Sequence, residues 1–402
     1  MNDLIYYFQR ASILLFGFSM GIFSCKESDN NEIILKDTEF KVISLNPENE
    51  VDFKNIGKNI EYIVLSTASD YLISEIDKIE VNNQLIFILS KAQKSIFIFD
   101  MSGNFLDKIA DFGEGPGKYT GISDFFIFKE SLYLLTNPSR YIYEYNLDGD
   151  LLKIISTNGN YLEEFRISDE GWVSHLKDAY DDENKFNVVL WDSLFADRKE
   201  EFLFLDTDRR NNSLRVDNYI SENKEGVFLF QNFSNLIYKF QDTLFLAAFE
   251  VLLNDQSIPL EYMKRFKNDS QAALDVAMKE NLFTGFKKII ATDKLLFLQA
   301  QQGSNIINCF ISFDSNKHFA FRNLKSEIEF SLVGDIIGVS GQKFVMIVSE
   351  NVLSKLKELD LEGKINKVNL KNEKIHNVID LYEKDGNPVL VFFDLDISSM
   401  QN

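Results

Sequence analysis

Cysteine is nearly absent from this 402-residue chain. Cys25 and Cys309 are its only two, and that excludes a disulfide framework. Histidine is almost as scarce. His175, His318 and His376 stand in three separate stretches. No H-x-x-x-H, C-x-x-C or H-E-x-x-H spacing occurs, so no local metal motif is present and no metal or cofactor is expected. Five prolines and no Pro/Ser-rich stretch leave no long linker. Basic charge is also short: 42 Lys and Arg face 62 Asp and Glu, for a net charge of −20. No Lys/Arg run stands out. A nucleic-acid binder needs a basic face, so nucleic acid is excluded as a partner. An acidic surface keeps a protein soluble and repels polyanions.

The chain is rich in Phe (37) and Tyr (15), residues suited to pleated, half-buried surfaces. They fall in short runs bounded by Asn, Gly, Ser or Asp, the punctuation of hairpin meanders. One strand–turn–strand unit repeats. Ile96–Ile109 is echoed by Ile142–Ile155, with Gly103 falling on Gly149. Trp191-Asp192 lies two periods beyond Phe99-Asp100. Recurrence at about 46 residues signals an array of small sheets. Further units begin near Ile122, Glu164, Gly226, Lys287 and Gly334. Six units of about four short strands predict an all-β, six-bladed β-propeller, with five or seven blades as the alternatives. A lone blade cannot bury both faces, so the ring must close. Ile60–Ser66 and Val389–Leu395 form the natural closing pair. Val42–Leu45 reads as another early strand.

Two segments lack strand alternation. Residues 259–281 are rich in Ala, Lys, Glu and Met and predict a short helical insertion between the fourth and fifth units. Val352–Leu359 is a shorter helix candidate, and His376–Lys384 another.

The N-terminus reads as an address. Arg10 precedes an apolar core, Ala11–Phe23, which at about 13 residues is too short to span a bilayer comfortably. It ends in Ile22-Phe-Ser-Cys25, which resembles the lipobox of bacterial lipoproteins. The resemblance implies a signal peptide over 1–24, lipid attachment at Cys25, and a membrane reached through that anchor. An ordinary signal peptide with an incidental cysteine is the alternative. Residues 25–38 then form a polar, acidic tether, similar to the surface-export signal of Bacteroides-type lipoproteins, and 39–402 form the propeller.

Asp111-Phe-Gly-Glu-Gly-Pro-Gly-Lys-Tyr119 carries three glycines in five residues. Its spacing fits neither G-x-G-x-x-G nor a P-loop. It reads instead as a tight crossing between blades that needs positive φ. Gly113-x-Gly-Pro-Gly-x-Tyr119, Asn59–Ser66 and Gly386-Asn-Pro-Val-Leu-Val-Phe-Phe393 together resemble the six-bladed β-propeller lipoproteins of Bacteroides-type bacteria. That resemblance covers the chain from about Asp37 onward. It implies a propeller distantly like NHL-repeat proteins and an outer-membrane location on the periplasmic or surface face. It supplies no catalytic residues.

Nothing in the sequence designates a catalytic site. Gly338-Val-Ser-Gly341 misses G-x-S-x-G and reads as a turn. Asp178–Asn184 and Asp206–Asp208 lack EF-hand spacing and read as solvated loops. His175 and the buried Cys309 read as structural, and His318 as exposed. The expectation is an envelope-anchored binding or scaffold module acting through its propeller faces on a glycan or protein ligand. A propeller lyase or hydrolase acting on polysaccharide, lactone or peptide is one alternative. An accessory subunit of an outer-membrane nutrient importer is the other.

Overall fold

The structure is a computed structural model. It describes residues 40–402 except 83, 139, 177–184, 193–194, 205–215, 255–268, 326–331, 366–373, 384, 397 and 399–402. Cys25, the signal and tether segments, both acidic loops and the first half of the 259–281 insertion lie outside the described residues.

The chain opens with β1 (Lys41–Leu45), β2 (Glu48–Asp52), a single helical turn α1 (Phe53–Ile56) and β3 (Gly57–Val64). Blade 1 is β4 (Lys78–Asn82), β5 (Leu85–Ser90), β6 (Ser95–Asp100) and β7 (Phe105–Ile109). Blade 2 is β8 (Ile122–Phe128), β9 (Ser131–Thr136), β10 (Tyr141–Asn146) and β11 (Leu151–Ser156). Blade 3 is β12 (Glu164–Ser168), β13 (Gly171–His175), β14 (Phe186–Trp191) and β15 (Arg198–Phe204). Blade 4 holds β16 (Ile220–Asn223), β17 (Gly226–Phe230), β18 (Leu236–Gln241) and β19 (Leu244–Leu253), and helix α2 (Ser270–Glu280) follows it. Blade 5 holds β20 (Phe283–Ala291), β21 (Leu295–Gln302), β22 (Asn305–Ser312) and β23 (His318–Lys325). Blade 6 holds β24 (Gly334–Ser340), β25 (Lys343–Val348) and, after α3 (Glu350–Leu361) and α4 (Lys374–Leu381), β26 (Val389–Leu395). The molecule is a six-bladed β-propeller.

Closure uses the expected pair. β3 runs antiparallel to β26, with Val64 opposite Val389 and Tyr62 opposite Val391. The two earlier strands depart from the simple four-strand unit. β1 adds in parallel to β19, making blade 4 five-stranded, and β2 adds in parallel to β23 of blade 5. Parallel addition on an outer edge removes exposed backbone donors and acceptors.

Each pair of neighbouring blades shares an apolar core. Phe87, Tyr143 and Tyr145 lie between blades 1 and 2, and Phe126, Trp172 and Trp191 between blades 2 and 3. Larger cores join blades 3, 4 and 5, and blades 5 and 6. Ile88, Phe97 and Phe392 join blade 6 back to blade 1. Helices α3 and α4 turn Leu353, Leu356, Ile375 and Val378 into the blade 5–6 core, which explains their apolar spacing.

The 46-residue repeat is one turn reused. The Asp100 Oδ1 accepts from the Ser102 and Asn104 amides, Asn146 Oδ1 from the Asp150 amide, and Asp192 Oδ1 from the Ala196 amide. These Asx turns link the third and fourth strands of blades 1 to 3. Gly103 (φ 85) and Gly149 (φ 93) take the left-handed residue, and Phe195 (φ 54) replaces glycine in the third copy.

The glycine crossing lies between β7 and β8. The Tyr119 amide donates to the Asp111 carbonyl at 3.0 Å, and Gly113, Gly115 and Gly117 all have positive φ. The Tyr119 hydroxyl then reaches the Lys94 carbonyl at 3.0 Å, fastening the crossing to blade 1. α2 begins at Asp269, whose side chain caps the Ala272 amide at 2.9 Å, and stops at Asn281 in the left-handed region.

Candidate functional site: the charged axial cavity

The six innermost strands, β4, β8, β12, β16, β20 and β24, surround the axis. Strand pleating sends alternate side chains toward it. A cavity of about 140 Å³ lies there, lined from all six blades. Asp77, Lys91 and Asp217 are exposed at its mouth, while Asp124, Glu164, Arg166 and Lys288 are buried along its wall. A second cavity of about 340 Å³ lies among the strand ends and hairpins of blades 2, 3 and 4, and Glu222 lines both.

A network of charges crosses this space. The Lys78 ammonium contacts Asp124 at 2.8 Å and Glu80 at 3.2 Å, and donates to the Phe125 carbonyl at 2.6 Å. Arg166, buried on β12, contacts Asp124 on β8 at 3.1 Å and pairs with Glu222 on β16 through its Nε. It also donates to the Phe165 carbonyl at 2.6 Å and the Ile220 carbonyl at 3.1 Å. Lys288 on β20 donates to the Ile336 carbonyl on β24 at 3.1 Å and pairs with Asp217 at 3.4 Å. These contacts link β4, β8, β12 and β16 in one series, and join β20 to β24 and to Asp217 just ahead of β16. Breaking one buried pair strands the partner charge, at a cost of about 3–5 kcal/mol.

The buried carboxylates have been driven apart. Burial opposes ionisation of Asp124, but Lys78 and Arg166 beside it hold it below the usual carboxylate range. Glu164 has no cation in ion-pair contact among the described residues. It accepts instead from the Tyr219 amide at 2.9 and 3.0 Å and the Ile220 amide at 3.2 Å. Burial, and then the charge on Asp124, push Glu164 up to about 7, against the pull of Arg166 and Lys78. Burial likewise raises Glu222, with Arg166 opposing. Burial works against the Arg166 charge, but Glu222 and Asp124 raise its affinity for its proton above the ordinary value.

The structure places the residues singled out in the sequence elsewhere. His175 is buried on β13 and stacks on Tyr219 at 4.1 Å, His318 opens β23, and His376 lies on α4. None sits on an inner strand. His318 is half-buried and belongs to the strand that follows the 315–317 turn. Cys309 is buried on β22, and burial raises its thiol well above the usual range. Gly338–Ser340 is not a turn: it completes β24, and the turn is Gly341-Gln342. Gly338 has a packing reason, since a Cβ there would come within 2.9 Å of the Ile79 carbonyl oxygen on the next blade. Among the described residues no group of three His, Cys, Asp or Glu side chains is placed to hold a metal.

The network residues were missed because no short motif contains them. Their signal was charge on the first strand of a unit: Lys78 and Glu80, Asp124, Glu164 and Arg166, Lys288. Such strands are otherwise apolar, and buried charges persist only when paired.

Comparison with known proteins places the architecture. The family described as a domain of unknown function (DUF4934) matches residues 40–394. This chain belongs to the DUF4934 family. A candidate exported protein from Bacteroides fragilis has 19% identity and a TM-score of 0.73, over 89% of this chain and 100% of that one. At that identity the likeness shows the fold. A member of the DUF4221 family from Bacteroides vulgatus has 12% identity and a TM-score of 0.48, over 86% and 98% of the two chains. No curated protein matches.

Proposed function

We propose that this DUF4934 propeller is an exported binding module, held at the bacterial envelope by lipid on Cys25, that takes a small polar group of its ligand into the axial cavity. The observation that carries this reading is the cavity. All six blades line it, and its buried Lys78, Asp124, Arg166 and Lys288 are fixed by charge-assisted bonds. A prepositioned wall lowers the ordering cost of binding. A glycan end or a protein side chain has the size and polarity to enter. The sequence before Cys25 and the exported Bacteroides neighbour support the location.

Two measurements test it. The 39–402 domain is titrated against oligosaccharide, peptide and amine libraries by thermal shift and calorimetry. Binding that disappears on narrowing the cavity with Ser123→Leu, at a residue that lines it, in a folded variant supports the module; a silent domain overturns it. Replacing Cys25 with Ser should move the full-length protein from membrane to soluble fractions, and unchanged membrane association would sink the anchor.

One observation favours a second reading, a propeller lyase or hydrolase. Glu164 and Asp124 line one cavity with proton affinities displaced in opposite directions, the arrangement of an acid and a base. Turnover of glycans or esters abolished by Glu164→Gln would establish it.

A further inference from the structure

We propose that the group bound in the axial cavity is an organic cation, a primary ammonium, inserted beside Glu164. This rests on the binding reading above and names its chemistry. The decisive feature is a mismatch between donors and acceptors. An ammonium has three N–H donors and a guanidinium five. Lys78 spends all three of its donors, on Asp124, Glu80 and the Phe125 carbonyl. Arg166 is held by four groups, Glu222, Asp124 and the Phe165 and Ile220 carbonyls. Lys288 is committed to the Ile336 carbonyl and Asp217. The buried cations therefore have little left to offer an anion.

The acceptors are in surplus. Seven carboxylates and four cationic side chains line the cavity, an excess of three negative charges when all are ionised. Glu164 is 7% exposed and, among the described residues, its hydrogen bonds come from backbone amides with no cation in ion-pair contact. A donor-rich cation supplies what the wall lacks. Size sets a limit too. A cavity of about 150 Å³ holds a benzene-sized molecule of about six non-hydrogen atoms, and this one is about 140 Å³.

Ammonium binding should ionise Glu164. The groups facing it are Asp124 on β8, Arg166 on its own strand, Lys78 on β4, the amides of Tyr219 and Ile220, and His175 opposite it across β12 and β13. With Glu164 near 7, its ionised fraction rises about tenfold between pH 6 and pH 8.

The test is calorimetry of the 39–402 domain with three four-carbon probes: putrescine, butane-1,4-diol and succinate. Putrescine alone should bind, about tenfold more tightly at pH 8 than at pH 6, and release protons into the buffer at pH 7. Glu164→Gln should abolish the proton release and flatten the pH dependence. The wild-type pH series and a comparison of heats in phosphate and Tris need no variant, so misfolding of Glu164→Gln does not block the test. Nα-acetyl-lysine amide, run beside putrescine, tells a lysine side chain from a free amine as the source of the ammonium. Binding of the diol or succinate as tightly as putrescine overturns the cation and leaves the binding reading standing. Putrescine binding without pH dependence overturns the role of Glu164. Silence of all these probes while an oligosaccharide or peptide binds overturns the cation alone, and silence of every ligand overturns both readings.

Discussion

The Asn387 side-chain amide donates to the Ser66 carbonyl at 2.6 Å, across 321 positions of chain. The same side chain donates to the Tyr71 carbonyl at 3.2 Å and accepts from the Ile73 amide at 2.8 Å, and its own backbone amide donates to the Thr67 hydroxyl at 2.9 Å. Asn387 thus clasps the link between β3 and blade 1 just before β26 begins.

Asn387→Ala should therefore act as a break in the ring rather than as a local change. It leaves two carbonyls and one amide without their partner in a buried place, at a cost of about 3 kcal/mol or more. Urea unfolding of the 39–402 domain measures it. A loss below about 0.5 kcal/mol, the size of an ordinary surface change, would show that the clasp is incidental.

Stability should fall as pH rises toward neutrality because of Glu164. In the unfolded chain it ionises near 4.5 and in the fold near 7. Between those values the unfolded state binds fewer protons, so the native state loses ground with each step upward. The contribution is complete below about 4.5 and gone above about 7, and amounts to roughly 3 kcal/mol. Asp124, held low, acts oppositely and only in acid. Denaturation midpoints at pH 5, 6, 7 and 8 should decline for the native sequence and decline less steeply for Glu164→Gln, where the raised Glu222 remains. Parallel declines would refute the assignment.

The two equivalent turn glycines should respond unequally. Both have positive φ, which costs a side chain about 1–2 kcal/mol. A Cβ on Gly149 has no neighbour closer than 3.5 Å, whereas one on Gly103 falls 2.2 Å from the Val64 carbonyl oxygen. Gly149→Ala should cost about 1–2 kcal/mol, and Gly103→Ala clearly more, with loosening of β3 visible in hydrogen exchange. Equal costs would mean that β3 yields freely at that point.

Arg166→Met should strand Glu222 and leave Asp124 to Lys78, at a cost of about 3–5 kcal/mol. Adding Glu222→Gln to it should recover part of that loss, because the penalty lies in the unpaired charge. No recovery in the double variant would place the role of Arg166 in packing, where it lies over the Phe126 ring at 5.1 Å.

Cys309 should resist thiol reagents in the native state and react fully after unfolding, since it is buried and its thiol is held protonated. Native labelling at the unfolded rate would show that β22 opens readily.

Much of the fold was legible because strand and turn chemistry is local. Asp100, Gly103 and Gly149 announce their turns within a few residues. The closing pair was legible because β-rich segments near both ends lacked partners. The parallel fifth strands were not: nothing in Val42–Leu45 names β19 as its neighbour, since parallel pairing on an outer edge leaves no turn signature. The site was legible least. Lys78, Asp124, Arg166 and Glu222 meet only because the ring brings inner strands from four blades together, and no spacing along the chain encodes that meeting.

The order in which the first strands are laid down has a mechanical consequence. Coming from residue 40, the chain meets β1 on blade 4, then β2 on blade 5, and only then β3 on blade 6. A pull applied ahead of residue 40 loads the β1–β19 pairing first, and the closing strand feels it only after β1 and β2 have let go. The two added strands would then serve as strain relief, keeping the ring shut and the axial cavity undistorted under a pull transmitted from the proposed anchor at Cys25.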